Sequence, residues 1–409
     1  MRVLFLTPYF PPDVGSSQRQ MHQLSTRLAA MGHELTVLTA VPHYPAGVVP
    51  RPYRRKWLVR ERVDGIRVLR TWIYATPRSS AVLRLANHIS FMLAATASIR
   101  ALPREVDVIY TDSPPLFNGL AAFLVGRARR APYVFNVADL WPQIVFEMGM
   151  ASRFPLRNMA EALERFIYAK ATRITTVTQG FADAIRLRGV EPERLHFIPL
   201  GTDVECFRPD IDGSAWRRRL EAEGRFMVMY AGTHGQAQNL ATLLAAARLL
   251  ITAKHIVFRF VGTGLEKARL MQQAAQEGLT NVAFVEPQPL DVMPQVVAAA
   301  DCHVVPLRVL PVFRMTIPAK IYEILSAGKP LIGSLDGEAA RLIRRAGAGV
   351  CVEPENPEAL ADAILRLSED RDLCREYGAA GREYAVRHHS YGRIAQMLHE
   401  VLETAAAEL

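Results

Sequence analysis

Cysteine is scarce in this chain, and Cys206, Cys302, Cys351 and Cys374 lie far apart, which excludes both a dense disulfide framework and a zinc site built from paired cysteines. A reducing compartment, the cytoplasm, is the expected setting. Long apolar runs are also missing. The best, Leu85 to Ile99 between Arg84 and Arg100, has 15 uncharged residues, short of the roughly 20 that a spanning helix needs. The opening "MRVLFLTPYF" is interrupted by Pro8 and Pro11 too early for a secretory leader, so it reads as a first strand. There is no zinc-finger spacing, no aromatic RNA-binding signature, no short repeat and no low-complexity segment, and nothing else calls for nucleic acid.

What is present is length, apolar content and an uneven charge. The chain has 409 residues, half of them apolar, more than one hydrophobic core normally organises. Two domains of similar size are expected. The net charge of +9 divides into +12 over residues 1–200 and −3 over the rest. Within "RPYRRKWLVRERVDGIRVLR", Arg51 to Arg70, eight basic residues oppose Glu61 and Asp64, with Tyr53 and Trp57 interleaved. Arg51, Arg54, Arg55, Lys56 and Trp57 make this stretch a candidate for an anionic membrane surface, with a solvated face as the alternative.

Strand-like and helix-like runs alternate from end to end, a pattern that implies parallel sheets covered on both faces. "RVLFLTPYF", "ELTVLTA", "VDVIYTD", "PYVFNVADL", "RITTVT" and "LHFIPL" are the strands of the first half, each separated by a helical segment. The pattern restarts after "GTDVECFRPD", Gly201 to Asp210, which reads as a connection. The expected domains are 1–200 and 201–385, both doubly wound, with 386–409 a terminal helix packing back on the first. Ligands of such sheets bind beyond the carboxyl ends of the strands, so two facing domains are expected to form a cleft.

Three loops place glycine after a strand and before a helix: "PPDVGSSQ" around Gly15, "AGTHGQAQN" around Gly232 and Gly235, and "VGTGLEKA" around Gly262 and Gly264. Each is compatible with an ordinary tight turn. Together they favour a phosphate-bearing ligand, because glycine allows close backbone approach and a helix N-terminus attracts negative charge. In "TIPAKIYEILSAGKPLIGS", Thr316 is expected to cap a helix whose first turn contains Pro318, leaving amides near Arg314 and Lys320 open to an anion. One turn on, Glu323 has the reach to accept hydrogen bonds from ribose hydroxyls.

These residues resemble a known family. "TIPAKIYEILSAGKPLIGS…GEAARLIRRAGAGVCVEPENPEAL", "YAGTHGQAQNLATLLAAARLL", "FVGTG", "ADCHVVPL", "GTDVECFRP" and "PPDVGSSQRQMHQLSTRLAAMGHELTVLT" look like the signatures, in order, of family-four retaining glycosyltransferases. Those enzymes have the GT-B architecture, an α/β fold of two Rossmann-like domains facing a cleft. "TAVPHYPAG" and "VADLWPQIVFEMG" resemble the bacterial branch that builds capsular, O-antigen and exopolysaccharide units, including aminosugar transferases.

By position, the resemblance makes Glu323 the ribose-binding glutamate and sets Lys320 against the diphosphate. Met315 stands where a paired glutamate is expected, and Gln236 where a basic residue often meets the phosphates. Asp139 replaces a histidine and would orient or deprotonate the acceptor, unless it only caps the segment from Leu140. Glu338 would meet the donor sugar or merely start a helix. The implied catalytic set is Asp139, Lys320 and Glu323, and Gly15, Gly232, Gly235, Gln236, Gly262, Arg314, Thr316 and Glu338 join the last two on the donor side. Asp210–Asp212 and Asp370–Asp372 repeat a metal-binding triplet but follow no core strand, so neither a metal nor another cofactor is expected. The implied reaction moves a sugar from a nucleotide-diphosphate donor to a polyprenyl-pyrophosphate-linked acceptor, at the inner face of the membrane and without nucleic acid. A sugar-nucleotide epimerase and a non-catalytic nucleotide-sugar binder remain open alternatives.

Overall fold

Strands and helices alternate in the computed structural model, which describes residues 1–78, 80–149 and 154–408. The chain divides into two compact units, Met1–Leu200 with Tyr391–Leu409, and Gly201–Ser390. The second crossing falls at Ser390 rather than at 385. Helix Arg371–His389 belongs wholly to unit 2, so 385 lies inside a continuous element.

In unit 1 the strands are β1 (Arg2–Leu6), β2 (Glu34–Ala40), β3 (Leu58–Val63), β4 (Ile66–Thr71), β5 (Val108–Ser113), β6 (Tyr133–Val137), β7 (Arg173–Thr176) and β8 (Leu195–Phe197). They form one sheet in the order β3-β4-β2-β1-β5-β6-β7-β8, in which only the β3–β4 pair is antiparallel. In unit 2 they are β9 (Phe226–Ala231), β10 (Ile256–Val261), β11 (Val282–Val285), β12 (Cys302–Pro306), β13 (Leu331–Ser334) and β14 (Gly349–Val352). All pairs there are parallel, in the order β11-β10-β9-β12-β13-β14. Both orders reverse direction once, between β1 and β5 and between β9 and β12. Chain leaving the carboxyl ends of those strands diverges and opens a ligand crevice.

The central strands are buried on both faces, which accounts for their nearly unbroken apolar sequences. Val3, Phe5, Val37 and Tyr110 of unit 1 pack with Leu24 and Leu28 of helix Ser16–Ala30. The same core takes in Ile394, Leu398 and Leu402 of helix Tyr391–Ala406, so the chain's last helix completes unit 1. Each of these three side chains contributes about 1.5–3 kcal/mol on burial.

The basic stretch contains an antiparallel hairpin. Asp64 and Gly65, with φ of 47° and 81°, join β3 to β4 in a two-residue turn of the left-handed kind. Arg70 is therefore no surface charge. It is fully buried, its Nε donates to Glu61 Oε1 at 2.6 Å, and it also bonds the Pro11 carbonyl. The apolar run Leu85–Ile99 falls largely in helix Ala81–Ala97, which is followed by a 3-10 turn, Ile99–Ala101.

Candidate functional site

Unit 2 assembles its site from the loops after β9 and β10 and from the segment after β12. The two glycine loops are knitted by backbone bonds: the Gly232 amide donates to the Val261 carbonyl at 2.9 Å, and the His234 amide to the Thr263 carbonyl at 2.9 Å. Gly232 and Gly262 have φ of 141° and 138°, and a Cβ at 262 would lie 2.0 Å from the Gly232 carbonyl oxygen. Only glycine fits there. A Cβ at 232 would lie 2.4 Å from Lys320 Nζ, which shows how close the lysine comes to the loop.

Lys320 stands in the first turn of helix Ala319–Ser326. Its ammonium lies 3.8 Å from the centre of the Tyr230 ring and is buried without a hydrogen-bond partner. Burial pushes its pKa down to about 7, against the opposing charge of Glu323 on the same helix. An unpaired buried ammonium is costly, so this group is poised to accept an anion. The first turn of the helix has no side-chain cap. The cap expected from Thr316 is not formed: Pro318 occupies the cap position, and the Thr316 hydroxyl turns back to donate to the Val312 carbonyl at 2.9 Å. No side chain therefore takes the first-turn amides, of which that of Ile321 donates to the Pro318 carbonyl at 3.0 Å.

The remaining donor-side candidates surround this centre unevenly. Glu323 is half-buried one turn beyond the first-turn amides. Gln236 is exposed and opens a 3-10 turn after Gly235, and the next residue's carbonyl accepts the Arg308 amide at 2.9 Å, tying the β9 and β12 loops together. Arg314 is exposed and paired with Asp336 at 3.0 Å. Glu338 begins helix Glu338–Ala346 and pairs with Arg341 at 3.2 Å. His234, between the two glycines, was not singled out by sequence. Its ring is fully buried against Tyr230, Phe260 and Phe284, and both nitrogens lack partners. Burial, then Lys267 and Lys320, pushes its pKa down to about 4.

In unit 1, Gly15 precedes helix Ser16–Ala30 in extended backbone, under the Tyr44 ring. Gly15 and Asp139 thus sit on a different unit from Lys320 and Glu323. Asp139 follows β6, and burial pushes its carboxyl up to about 6. Its side chain caps nothing, because helix Gln143–Glu147 has Pro142 at its cap position without a side-chain bond. Asp112, at the end of β5, was overlooked. The Ser17 hydroxyl donates to its Oδ2, its Oδ1 is buried without a partner, and burial pushes it up to about 6. The signal available was an acid ending an otherwise apolar strand.

Arg51, Arg54, Arg55, Lys56 and Trp57 are all exposed, and Trp57 stacks on the exposed Trp72 with ring centres 6.2 Å apart. Helix Ala81–Ala97 adds exposed Val82, Leu85 and Leu93, recurring at spacings that keep them on one face. Among the described residues no helix is long and apolar enough to cross a membrane, and no cluster of three His, Cys, Asp or Glu could hold a metal ion. The carboxylates of the Asp triplets have local partners: Asp210 pairs with Arg208, Asp212 bonds Ser214, Asp370 caps helix Arg371–His389, and Asp372 pairs with Arg375.

Two parallel-sheet Rossmann-like units, one with a glycine-lined cation site, define the GT-B class of glycosyltransferases. The chain superposes on sucrose-phosphate synthase from Thermosynechococcus elongatus with a TM-score of 0.80 at 20% identity, over 100% of both chains. With the Anabaena protein HepE, solved with UDP and glucose, the TM-score is 0.74 at 19% identity, over 99% of this chain and 100% of that one. Residues 15–201 match the family described as Glycosyl transferase 4-like domain, and residues 214–384 match Glycosyl transferases group 1. WcaI of Escherichia coli strain K12, named for glycosyl transfer in colanic acid biosynthesis, is 27% identical over 397 residues, 95% of this chain and 96% of its own. The protein belongs to the family-four glycosyltransferases and is an enzyme of the transferase class.

Proposed function

We propose that this enzyme transfers a sugar from a nucleotide-diphosphate donor to a lipid-linked glycan acceptor during cell-surface polysaccharide assembly, with retention at the anomeric carbon. The observation that carries the reading is Lys320, a buried ammonium with no hydrogen-bond partner among the described residues, beside two glycine loops and a helix N-terminus without a side-chain cap. That arrangement favours charge that grows on the departing diphosphate. Glu323 receives the ribose hydroxyls, and Asp139, as carboxylate, accepts a hydrogen bond from the acceptor hydroxyl. The colanic-acid association of WcaI supports a polysaccharide product, and the UDP complex of HepE supports a nucleotide-sugar donor.

The exposed basic and tryptophan-bearing segment of unit 1, with the apolar face of helix Ala81–Ala97, supports peripheral attachment to an anionic membrane, which we place on the cytoplasmic side. The reaction is metal-independent in this reading, Lys320 and the helix amides taking the place of a divalent ion. The experiment is a nucleotide-sugar panel screened by thermal stabilisation, followed by turnover of the best ligand with and without membrane acceptor and with chelator. Transfer with retained configuration, insensitive to chelator, is expected. Release of a free epimer from donor alone would replace transfer by epimerisation, and metal-restored activity would overturn metal independence.

A further inference from the structure

The loops after β1 and β2 in unit 1 bury a carboxylate and an imidazole that the proposed chemistry has not used. Asp13 is almost fully buried, and its Oδ1 accepts the backbone N–H groups of His43 and Tyr44 at 2.7 and 2.8 Å. Its Oδ2 accepts nothing and lies 4.0 Å from His43 Nδ1. His43 Nδ1 is 3.0 Å from the Val41 carbonyl. A carbonyl only accepts, so Nδ1 carries the proton and Nε2 keeps a lone pair. Burial pushes His43 below the ordinary histidine range in spite of Asp13, which favours this neutral ring.

The imidazole is held flat. The Tyr9 ring stacks on it with centres 5.6 Å apart and an interplanar angle of 27°, and Tyr44 packs on Tyr9 at 5.1 Å. With Nδ1 on the Val41 carbonyl, Nε2 is the ring nitrogen that offers an acceptor. Near the end of β5, two positions across the sheet from β2, the Asp112 carboxylate is held by the Ser17 and Thr7 hydroxyls, and its buried Oδ1 has no donor among the described residues. Buried polar atoms are nearly always satisfied, and Asp13 Oδ2 and Asp112 Oδ1 both lack a donor among the described residues. Several hydroxyls on one small ring supply donors in that number.

We propose that His43, fixed by Val41 and Asp13, accepts a hydrogen bond from a sugar hydroxyl of the acceptor, and that Asp13 and Asp112 receive neighbouring hydroxyls. This rests on the transferase reading and assigns unit 1 a polyol-recognising pocket. His43 orients the hydroxyl and takes no proton in this role.

The test is binding, separate from turnover. Methyl glycosides of glucose, galactose, mannose, fucose and N-acetylglucosamine are offered to the full chain with saturating nucleoside diphosphate, and contact is read by saturation-transfer NMR. At least one is expected to bind. His43→Ala should weaken that binding roughly tenfold, the loss of one buried hydrogen bond, while nucleoside diphosphate affinity stays unchanged in a variant that remains folded at the assay temperature. His43→Gln, which presents an acceptor near the Nε2 position, should recover part of the loss, and His43→Phe should recover none. Absence of glycoside binding to the wild type, unaltered binding in His43→Ala, or equal recovery by Gln and Phe would overturn the proposal. Failure of the transferase reading would appear elsewhere, as no consumption of any nucleotide sugar by the wild type.

Discussion

The two units share a mostly parallel winding scheme and bury groups of opposite charge near their sheets. At the strand ends of unit 1 stand Asp112 and Asp139, carboxyls that burial pushes up to about 6. In unit 2 the buried charge is Lys320, in the first turn of helix Ala319–Ser326 beside the loops after β9 and β10, an amine that burial pushes down to about 7. The net charges run the other way, because residues 1–200 carry +12 and the remainder −3. Overall charge thus describes the outer surface, which faces solvent or a membrane, whereas a site is defined by the few groups that the fold desolvates. Unit 1 is left needing hydrogen-bond donors and unit 2 an anion.

The sharpest way to break this comparison is to remove the cation. Lys320→Ala should lower transfer about 10²–10³-fold, with a smaller loss of donor affinity, if the ammonium meets charge that develops as the bond breaks. Asp139→Asn should lower transfer while leaving nucleotide affinity intact. Steady-state kinetics beside calorimetric binding separates the two, and equal loss of nucleotide affinity in both variants would erase the distinction between the units.

The next effect belongs to the outer surface of unit 1. Neutralising Arg54, Arg55 and Lys56 together should weaken sedimentation with anionic liposomes by about 1 kcal/mol per residue, in a salt-dependent manner. Nucleotide binding should not change. Liposome binding untouched by the triple change would return this cluster to a solvated face.

Glu323→Ala should cost donor binding about 1.5–3 kcal/mol and Glu323→Gln less, since one acceptor remains. Unaltered calorimetric affinity in a folded alanine variant would remove Glu323 from the site.

The smallest effect is a pH dependence. The groups facing the Lys320 amine are Glu323 on its own helix, Tyr230 on β9, His234 in the following loop and His303 on β12. Free Lys320 loses its proton near pH 7, whereas a bound diphosphate holds it charged. Nucleoside diphosphate affinity is therefore full below about pH 7 and falls as pH rises, by at most tenfold per unit, with proton uptake measurable by calorimetry in buffers of different ionisation heat. Affinity that stays level from pH 6 to 9 in wild type would show that the amine is charged before the ligand arrives.

How much of this was legible beforehand depended on the range of the interactions involved. The apolar strand runs and intervening helical periods announced two doubly wound units, because burial on both faces of a parallel sheet writes itself into consecutive residues. Glycines after strands marked the loops, and Lys320 and Glu323 stood out as charges in an apolar helix. The β3–β4 hairpin was overlooked although Asp64-Gly65 is a recognised turn pair, because its strands are rich in arginine. Thr316 was misassigned because a threonine hydroxyl can serve the helix ahead or the turn behind, and the backbone path from Phe313 to Pro318 selects the turn behind.

By itself, then, the sequence determined the class of fold, the order of its strands and helices apart from the β3–β4 hairpin, and the segment that carries Lys320. Only the tertiary structure decided that Arg70 is core while Arg54 is surface, that the Lys320 ammonium has no hydrogen-bond partner among the described residues, and that Asp13 and His43 meet beyond the ends of β1 and β2. The reason is physical. Secondary structure follows from periodicities a few residues long, whereas the burial and pairing of a charge depend on side chains that sheet topology brings together from distant parts of the chain.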